Sequence, residues 1–264
     1  MTDRDDTALT LPWMRAGTAH VLALVAKLSD AELAEPSALP EWSRAHVVAH
    51  LARNAEALIR LVTWARTGVE TPMYPSREAR AADIAESAGR PPDRLRAELT
   101  GTAAALDAAL SALTPAQWQA RVRSALGRPL PAAQVPWMRI REVWLHAVDL
   151  DAGAAVADAP DGVLDLLLDE VTATLSATAG CPTAELVPTD RDRRFRLGDP
   201  AVERAPTDHG LPGSPAVDPP NGDGGGREAD GAAPVVTAPA AALVGWLTGR
   251  LPAPPGAPEL PRWL

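Results

Sequence analysis

Cysteine is almost missing from this chain of 264 residues, in which Cys181 is the only one. A single thiol cannot form a disulfide within the chain, and such sparing use fits a reducing cytosol. Apolar runs of membrane-spanning length are also missing, and the N-terminal residues do not form a signal-peptide pattern. We therefore expect a cytoplasmic protein without a membrane partner.

Lysine is equally scarce, since Lys27 is the only one and arginine carries the rest of the positive charge. The net charge is −9 and no basic block interrupts the sequence, which argues against nucleic acid as the main ligand. The length allows one large domain or two modest ones. The oligomeric state is left open.

Apolar residues recur at helical spacing in the first part of the chain. They predict four long helices, and a shorter helix at 77–88 lies between the second and the third. Connections of modest length favour a bundle that fills roughly residues 1–155. The four long helices are predicted at residues 11–28, 44–67, 92–113 and 135–151.

The pattern changes after residue 155. One more amphipathic helix is followed by short β-like segments and a last helix, which together predict a small α+β domain over 156–264. Within it, 12 of the 31 residues from 203 to 233 are glycine or proline, so we expect a disordered insertion there. The helices are predicted at 161–179 and 239–250, and the extended segments at 184–187, 194–197 and 235–237.

The fourth long helix carries acidic and imidazole groups on a face that should be apolar. Glu142, His146 and Asp149 are spaced three and four residues apart, so they share one stripe. Burying these polar groups without a partner would cost roughly several kcal/mol of free energy. A divalent metal would be such a partner. His50 occupies an equivalent inward position on the second long helix. Two imidazoles and a carboxylate form a usual catalytic zinc set, with iron and nickel as alternatives.

A simpler interpretation stands beside the metal site. A lone histidine on an apolar face is more often a core residue with one partner, and Glu142 could pair with a buried arginine. His46 is one turn from His50 and ranks lower as a ligand because helix starts favour capping roles. Asp149 and Asn54 could orient the ligands. We expect His20 to be a core or rim residue and His209 to be exposed. Cys181 is expected to be an inert buried thiol.

Three stretches, residues 39–55, 141–149 and 245–250, resemble the mycothiol-dependent maleylpyruvate isomerases, members of a wider group of DinB-like metal-binding helical bundles. The resemblance implies a DinB-like four-helix bundle followed by a smaller α/β domain of sterol-carrier type. It also implies zinc ligands and a C-terminal arginine important for activity. The matching positions are His50, Glu142 and His146 for the metal and Arg250 for the arginine.

The resemblance further implies mycothiol as a cofactor, with its sulfur at the open zinc position as a thiolate. In the family reaction the thiolate adds to the cis double bond of maleylpyruvate, and rotation and loss of the thiol give fumarylpyruvate. Arg250 would hold a substrate carboxylate, since guanidinium binds carboxylates bidentately. Alternatively, Arg250 is a cation that interacts with the end of a helix.

Three other functions remain open. A mycothiol S-transferase would use the same thiolate to conjugate an electrophile in detoxification or natural-product biosynthesis. A zinc hydrolase would use metal-bound water, but no HExxH-like arrangement supplies a base. The last alternative is a non-enzymatic metal-bearing module that binds a partner or small ligand.

Overall fold

The structure is a computed structural model that describes residues 3–198, 233–261 and 263. Within these ranges the chain forms nine α-helices and five short β-strands. The helices are α1 (Thr7–Lys27), α2 (Asp30–Ala34), α3 (Arg44–Thr67), α4 (Arg77–Ala88), α5 (Pro92–Ser111), α6 (Pro115–Trp118), α7 (Val135–Asp149), α8 (Asp161–Ser176) and α9 (Ala240–Leu247). The strands are β1 (Arg121–Arg123), β2 (Pro129–Pro131), β3 (Ala184–Pro188), β4 (Phe195–Leu197) and β5 (Val235–Ala238).

The described residues form two compact units, 3–167 and 168–198 with 233–261 and 263. The first contains α1 to α7, and its four long helices pack together: α3 against α5 and α7, and α1 against α7 and α5. The second contains the three-stranded sheet and α9. The α+β fold class predicted from the sequence is therefore confirmed.

Local capping sets the bounds of α3. Ser43 and His46 form a reciprocal capping box at the start. At the end, Gly68 takes a left-handed conformation with φ of 74°, and its N–H donates to the Trp64 carbonyl at 2.8 Å. The helix covers the predicted residues 44–67.

The helix α1 begins earlier than predicted. Apolar spacing placed its start at residue 11, but the Asp6 carboxylate accepts a hydrogen bond from the Ala8 N–H at 2.9 Å and caps the helix there.

At Gly17, α1 approaches α7 so closely that an added Cβ would lie 2.5 Å from Val143 Cγ2. Glycine is thus required for this packing distance.

A small hairpin precedes α7. The strands β1 and β2 are antiparallel, with buried Val122 opposite buried Leu130. The sequence pattern did not predict β1, because three residues are too few for an alternation of apolar and polar positions to be recognised.

In the second unit the strand order is β4-β3-β5, with β3 antiparallel to β4 and parallel to β5. The predicted helix 239–250 was too long. Gly249 has φ of 73°, the Arg250 N–H donates to the Gly245 carbonyl at 2.7 Å, and the Gly249 N–H donates to the Trp246 carbonyl at 3.0 Å. This pair of hydrogen bonds is a Schellman motif, which ends α9 at Leu247.

The predicted insertion and the predicted domain boundary both stay predictions. The insertion predicted at 203–233 lies, except for its last residue, outside the described residues. The domain boundary predicted between residues 155 and 156 stays a prediction, whereas the compact units divide within α8. In the described part of the chain, no helix combines the length and apolar character needed to cross a bilayer.

Candidate metal centre

The three side chains predicted as metal ligands meet in the first unit. His50 comes from α3, and Glu142 and His146 come from α7. One ligand atom from each lies within 4.8 Å of the others. Glu142 Oε2 is 2.8 Å from His50 Nε2 and 3.3 Å from His146 Nε2. The group is buried, with 2 to 4 % of each residue exposed.

The local structure explains why these polar groups face inward. Every residue of α7 except Val148 is buried, so this helix has almost no solvent-facing side on which to place charge. Glu142 and His146 are one turn apart and therefore lie side by side. The packing of α3 against α7 brings His50 to the same point.

Asp149 orients the His146 ring. Its Oδ2 lies 2.8 Å from His146 Nδ1, which leaves Nε2 turned toward Glu142. Burial by itself would lower the pKa of His146, but the hydrogen bond with Asp149 and the neighbouring carboxylate of Glu142 outweigh burial and raise the pKa. His146 Nε2 has no hydrogen-bond partner among the described residues. A buried imidazole nitrogen without a partner, held by a carboxylate behind it, is the usual arrangement of a metal ligand.

His50 has a different proton arrangement. Arg80 Nη2 lies 3.0 Å from His50 Nδ1. Because a guanidinium can only donate, Nδ1 accepts, and Nε2 carries the proton that it donates to Glu142 Oε2. Burial lowers the pKa of His50 to about 4, and the hydrogen bond that His50 donates to Glu142, which favours the charged ring, only partly opposes this effect. In this arrangement His50 is neutral at physiological pH.

Glu142 is ionised at the centre of the group. Burial would raise its pKa, but the neighbouring ring of His146 and the hydrogen bond from His50 together hold the pKa well below its usual range. The set therefore offers one carboxylate and two imidazoles, which fit a divalent cation with a further position open to another ligand.

Asn54, which sequence spacing suggested as a residue that orients the ligands, binds another group. Its Oδ1 accepts from Arg139 Nη1 at 2.8 Å, and the same nitrogen donates to the Leu51 carbonyl at 2.7 Å. Arg139 is 1 % exposed, and burial lowers its pKa to about 10 against the attraction of Glu142. Arg139 is one turn before Glu142 on α7, so Asn54 binds a neighbour of the site and none of the three ligands.

Two further residues beside the site were missed in the sequence. Arg80 on α4 contacts His50, and its Cζ lies 5.5 Å from the ring centroid of Tyr74. The sequence contained a signal, because Arg80, Ile84 and Ser87 are spaced four and three residues apart and therefore share one helix face. In the structure this is the buried face of α4. An arginine on the inward stripe of a short helix indicates a buried partner.

His46 and His20 do not belong to the group of three ligand residues. His46 Nδ1 is 2.8 Å from Ser43 Oγ in the capping box of α3. His20 stacks on Trp144 at a centroid distance of 5.5 Å. Cys181 is free and half-buried in the second unit, and burial raises its pKa. His209 lies outside the described residues.

Arg250, predicted to bind a substrate carboxylate, belongs to the second unit. It follows the end of α9, is half-buried, and donates from Nη1 to the Thr248 carbonyl at 3.2 Å. Its role in binding stays a prediction.

Comparisons with known proteins identify the family of this chain. The family model of the mycothiol maleylpyruvate isomerase N-terminal domain matches residues 14–151. A crystal structure of a mycothiol-dependent maleylpyruvate isomerase is 35 % identical, covers 100 % of both chains and has a TM-score of 0.80. A histidine-to-alanine mutant of such an enzyme is 34 % identical over 100 % of both chains, with a TM-score of 0.79. No curated protein sequence matches the chain.

Proposed function

Because the chain belongs to the mycothiol-dependent maleylpyruvate isomerase family, we propose that it is a thiol-dependent cis–trans isomerase that takes mycothiol as cofactor and maleylpyruvate as substrate. The observation that carries the proposal is the buried group of His50, Glu142 and His146. Two imidazoles and a carboxylate lie within 4.8 Å of one another in the protein interior. Burying these polar groups costs desolvation free energy, which a bound cation would offset.

These three residues would hold the divalent metal, and zinc suits a donor set with two nitrogens and one oxygen. Asp149 supports the ligand role of His146, because its carboxylate at Nδ1 leaves the Nε2 lone pair for the cation. Glu142 contributes the negative charge next to both rings.

The metal and mycothiol together would supply an activated thiolate able to add reversibly to a cis double bond and leave again after bond rotation. The residues of this chain prepare the place for that chemistry. Burial of the three ligand side chains limits the access of water, and Arg250 is proposed to bind a substrate carboxylate through its guanidinium.

The test combines metal analysis with a maleylpyruvate assay in the presence and absence of mycothiol. The wild-type protein should contain about one zinc per chain and form fumarylpyruvate only with mycothiol. His50→Ala should lose both properties. If His50→Ala keeps its metal and its thiol-dependent activity, the proposed site is wrong.

A matched control is His46→Gln, which changes the other histidine of the same helix. Glutamine at the third position of a capping box can still accept from the Ser43 N–H, so this variant should keep its metal and activity. Product analysis separates isomerase from S-transferase: isomerisation regenerates free mycothiol, whereas conjugation consumes one equivalent.

A further inference from the structure

Trp42 lies against the His50 ring, just before α3 begins. The two ring centroids are 5.7 Å apart, and the ring planes are tilted by 58°. His146 approaches the same imidazole edge-on, at a centroid distance of 4.6 Å. Both histidines are buried, whereas Trp42 is half-buried. The His50 ring therefore contacts two other rings, one of a proposed ligand and one of a tryptophan that reaches the surface.

The loop of residues 36–43 holds Trp42 through its main chain. The Trp42 N–H donates to the Leu39 carbonyl at 3.2 Å, and the Trp42 carbonyl accepts from the N–H and the hydroxyl of Ser37, each at 2.9 Å. Glu41 has φ of 64°, in the left-handed region that favours glycine. A residue other than glycine keeps this conformation where surrounding contacts impose it. The loop thus has a defined conformation, which places Trp42.

The same loop is attached to both helices that carry the proposed ligands. The Ala38 N–H donates to the Asp149 carbonyl at 2.9 Å, close to the end of α7. The side chain of Asp149 also lies against His146 Nδ1. At the other end of the loop, Ser43 is the N-cap of α3. Trp42 is therefore fixed relative to α3 and α7 together.

The contact with Trp42 can orient His50 where its bond to Glu142 cannot. His50 Nε2 lies 2.8 Å from Glu142 Oε2, and a cation bound by both residues would take the place of this hydrogen bond. An aromatic contact involves the ring as a whole and leaves that nitrogen available. A side chain that is already oriented loses less conformational entropy when it binds a ligand.

We propose that Trp42 is a positioning residue of the metal centre, which fixes the His50 ring so that it binds the divalent cation in a common geometry with the two ligands of α7. The proposal rests on the metal site of the proposed function and adds a residue that is not itself a ligand. Loss of the indole ring should therefore weaken metal binding while all three ligands remain.

The first experiment measures the zinc affinity of the full chain by competition with a chromogenic chelator. Trp42→Ala should bind zinc about tenfold more weakly than the wild type, the change in affinity that corresponds to the loss of one aromatic pair. Trp42→Phe keeps an aromatic ring next to His50 and should stay within about threefold of the wild type. Should Trp42→Ala not fold, Trp42→Leu removes the aromatic ring but keeps an apolar side chain, with the same expected loss.

Two control variants accompany this measurement. Trp118→Ala removes another half-buried tryptophan, from α6, and His46→Gln changes the histidine whose ring lies 6.1 Å from that of Trp42. Both should keep wild-type zinc affinity. Wild-type affinity in Trp42→Ala would overturn the proposal. An equal loss in Trp118→Ala would overturn it as well, because the effect would then come from a general loosening of the unit.

The second experiment separates positioning from a loss of stability. Co²⁺ bound in place of zinc reports the coordination geometry through its visible absorption spectrum, which is recorded at saturating Co²⁺. The spectrum of Trp42→Ala should differ from that of the wild type, and the spectrum of Trp42→Phe should match it. A Trp42→Ala protein that unfolds at a lower temperature but keeps the wild-type zinc affinity and Co²⁺ spectrum would assign Trp42 a merely structural role and overturn the proposal.

His50→Ala distinguishes failure of this proposal from failure of the proposed function. If Trp42→Ala binds zinc like the wild type while His50→Ala loses it, only the role of Trp42 is wrong. If His50→Ala also keeps its zinc, the proposed metal site itself is wrong.

Discussion

Arg44, the first residue of α3, binds the carbonyl oxygen of Leu150 just beyond the end of α7. The Nε to O distance is 2.8 Å, and Nη2 donates to the Asp151 carbonyl at 3.0 Å. A cation at this place satisfies carbonyls that the helix leaves open and interacts favourably with its dipole. Since α3 carries His50 and α7 carries His146, Arg44 links the two helices of the site.

Replacing Arg44 should weaken this link. Arg44→Met is expected to lower the free energy of unfolding by about 1.5–3 kcal/mol, the range for hydrogen bonds from a charged donor. Urea denaturation measures this value. The control is Arg15→Met, which removes an exposed pair with Asp107 and should cost less than about 1 kcal/mol. Equal losses for both variants would assign Arg44 an ordinary surface role.

Asp149 should matter for metal affinity more than its position behind the ligands suggests. Asp149→Asn keeps the shape but removes the negative charge next to His146 Nδ1, so we expect zinc affinity to fall about 10–100-fold. Chelator competition measures the change. Asp151→Asn alters an exposed carboxylate two residues along and should leave zinc affinity unchanged. An Asp149→Asn protein with wild-type affinity would contradict the role of Asp149.

Gly17 should not tolerate a methyl group. Gly17→Ala places Cβ 2.5 Å from Val143 Cγ2 and 2.7 Å from Trp144 Nε1, which forces α1 and α7 apart. The expected cost is about 1–3 kcal/mol of unfolding free energy, measured by thermal or urea denaturation.

The control for Gly17 is Gly101→Ala in the interior of α5. An added Cβ there meets nothing within 4 Å, so alanine should stabilise the protein by about 0.5–1 kcal/mol. Opposite signs for the two glycines are therefore expected. Stabilisation by Gly17→Ala would show that α1 and α7 pack less closely than described.

Metal binding should also appear as protein stability. A ligand present at about 100 times its dissociation constant stabilises the folded state by roughly 2.7 kcal/mol when it binds only that state. We expect Zn²⁺ to raise the midpoint of thermal unfolding of the wild-type protein and to leave that of His50→Ala unchanged. A zinc-induced shift of equal size in His50→Ala would place the binding elsewhere.

Features set by neighbouring residues were predictable from the sequence. The capping residues and left-handed glycine of α3 are local, so the bounds of this helix could be predicted. The same holds for the shared stripe of Glu142 and His146, since their spacing alone makes them neighbours on a helix. Errors arose where a short-range signal was overlooked, as with Asp6 before α1 and Gly249 after α9.

The amino-acid sequence by itself determined the long helices and which polar side chains lie on their apolar stripes, because both follow from hydrogen bonds and periodicity within a few residues. Only the tertiary structure decided the partners of those side chains: Arg80 beside His50, and Asn54 on Arg139 instead of a ligand. Partners on different helices depend on interhelical distances of a few ångströms. Those distances are set by packing of the whole unit, which no local pattern specifies.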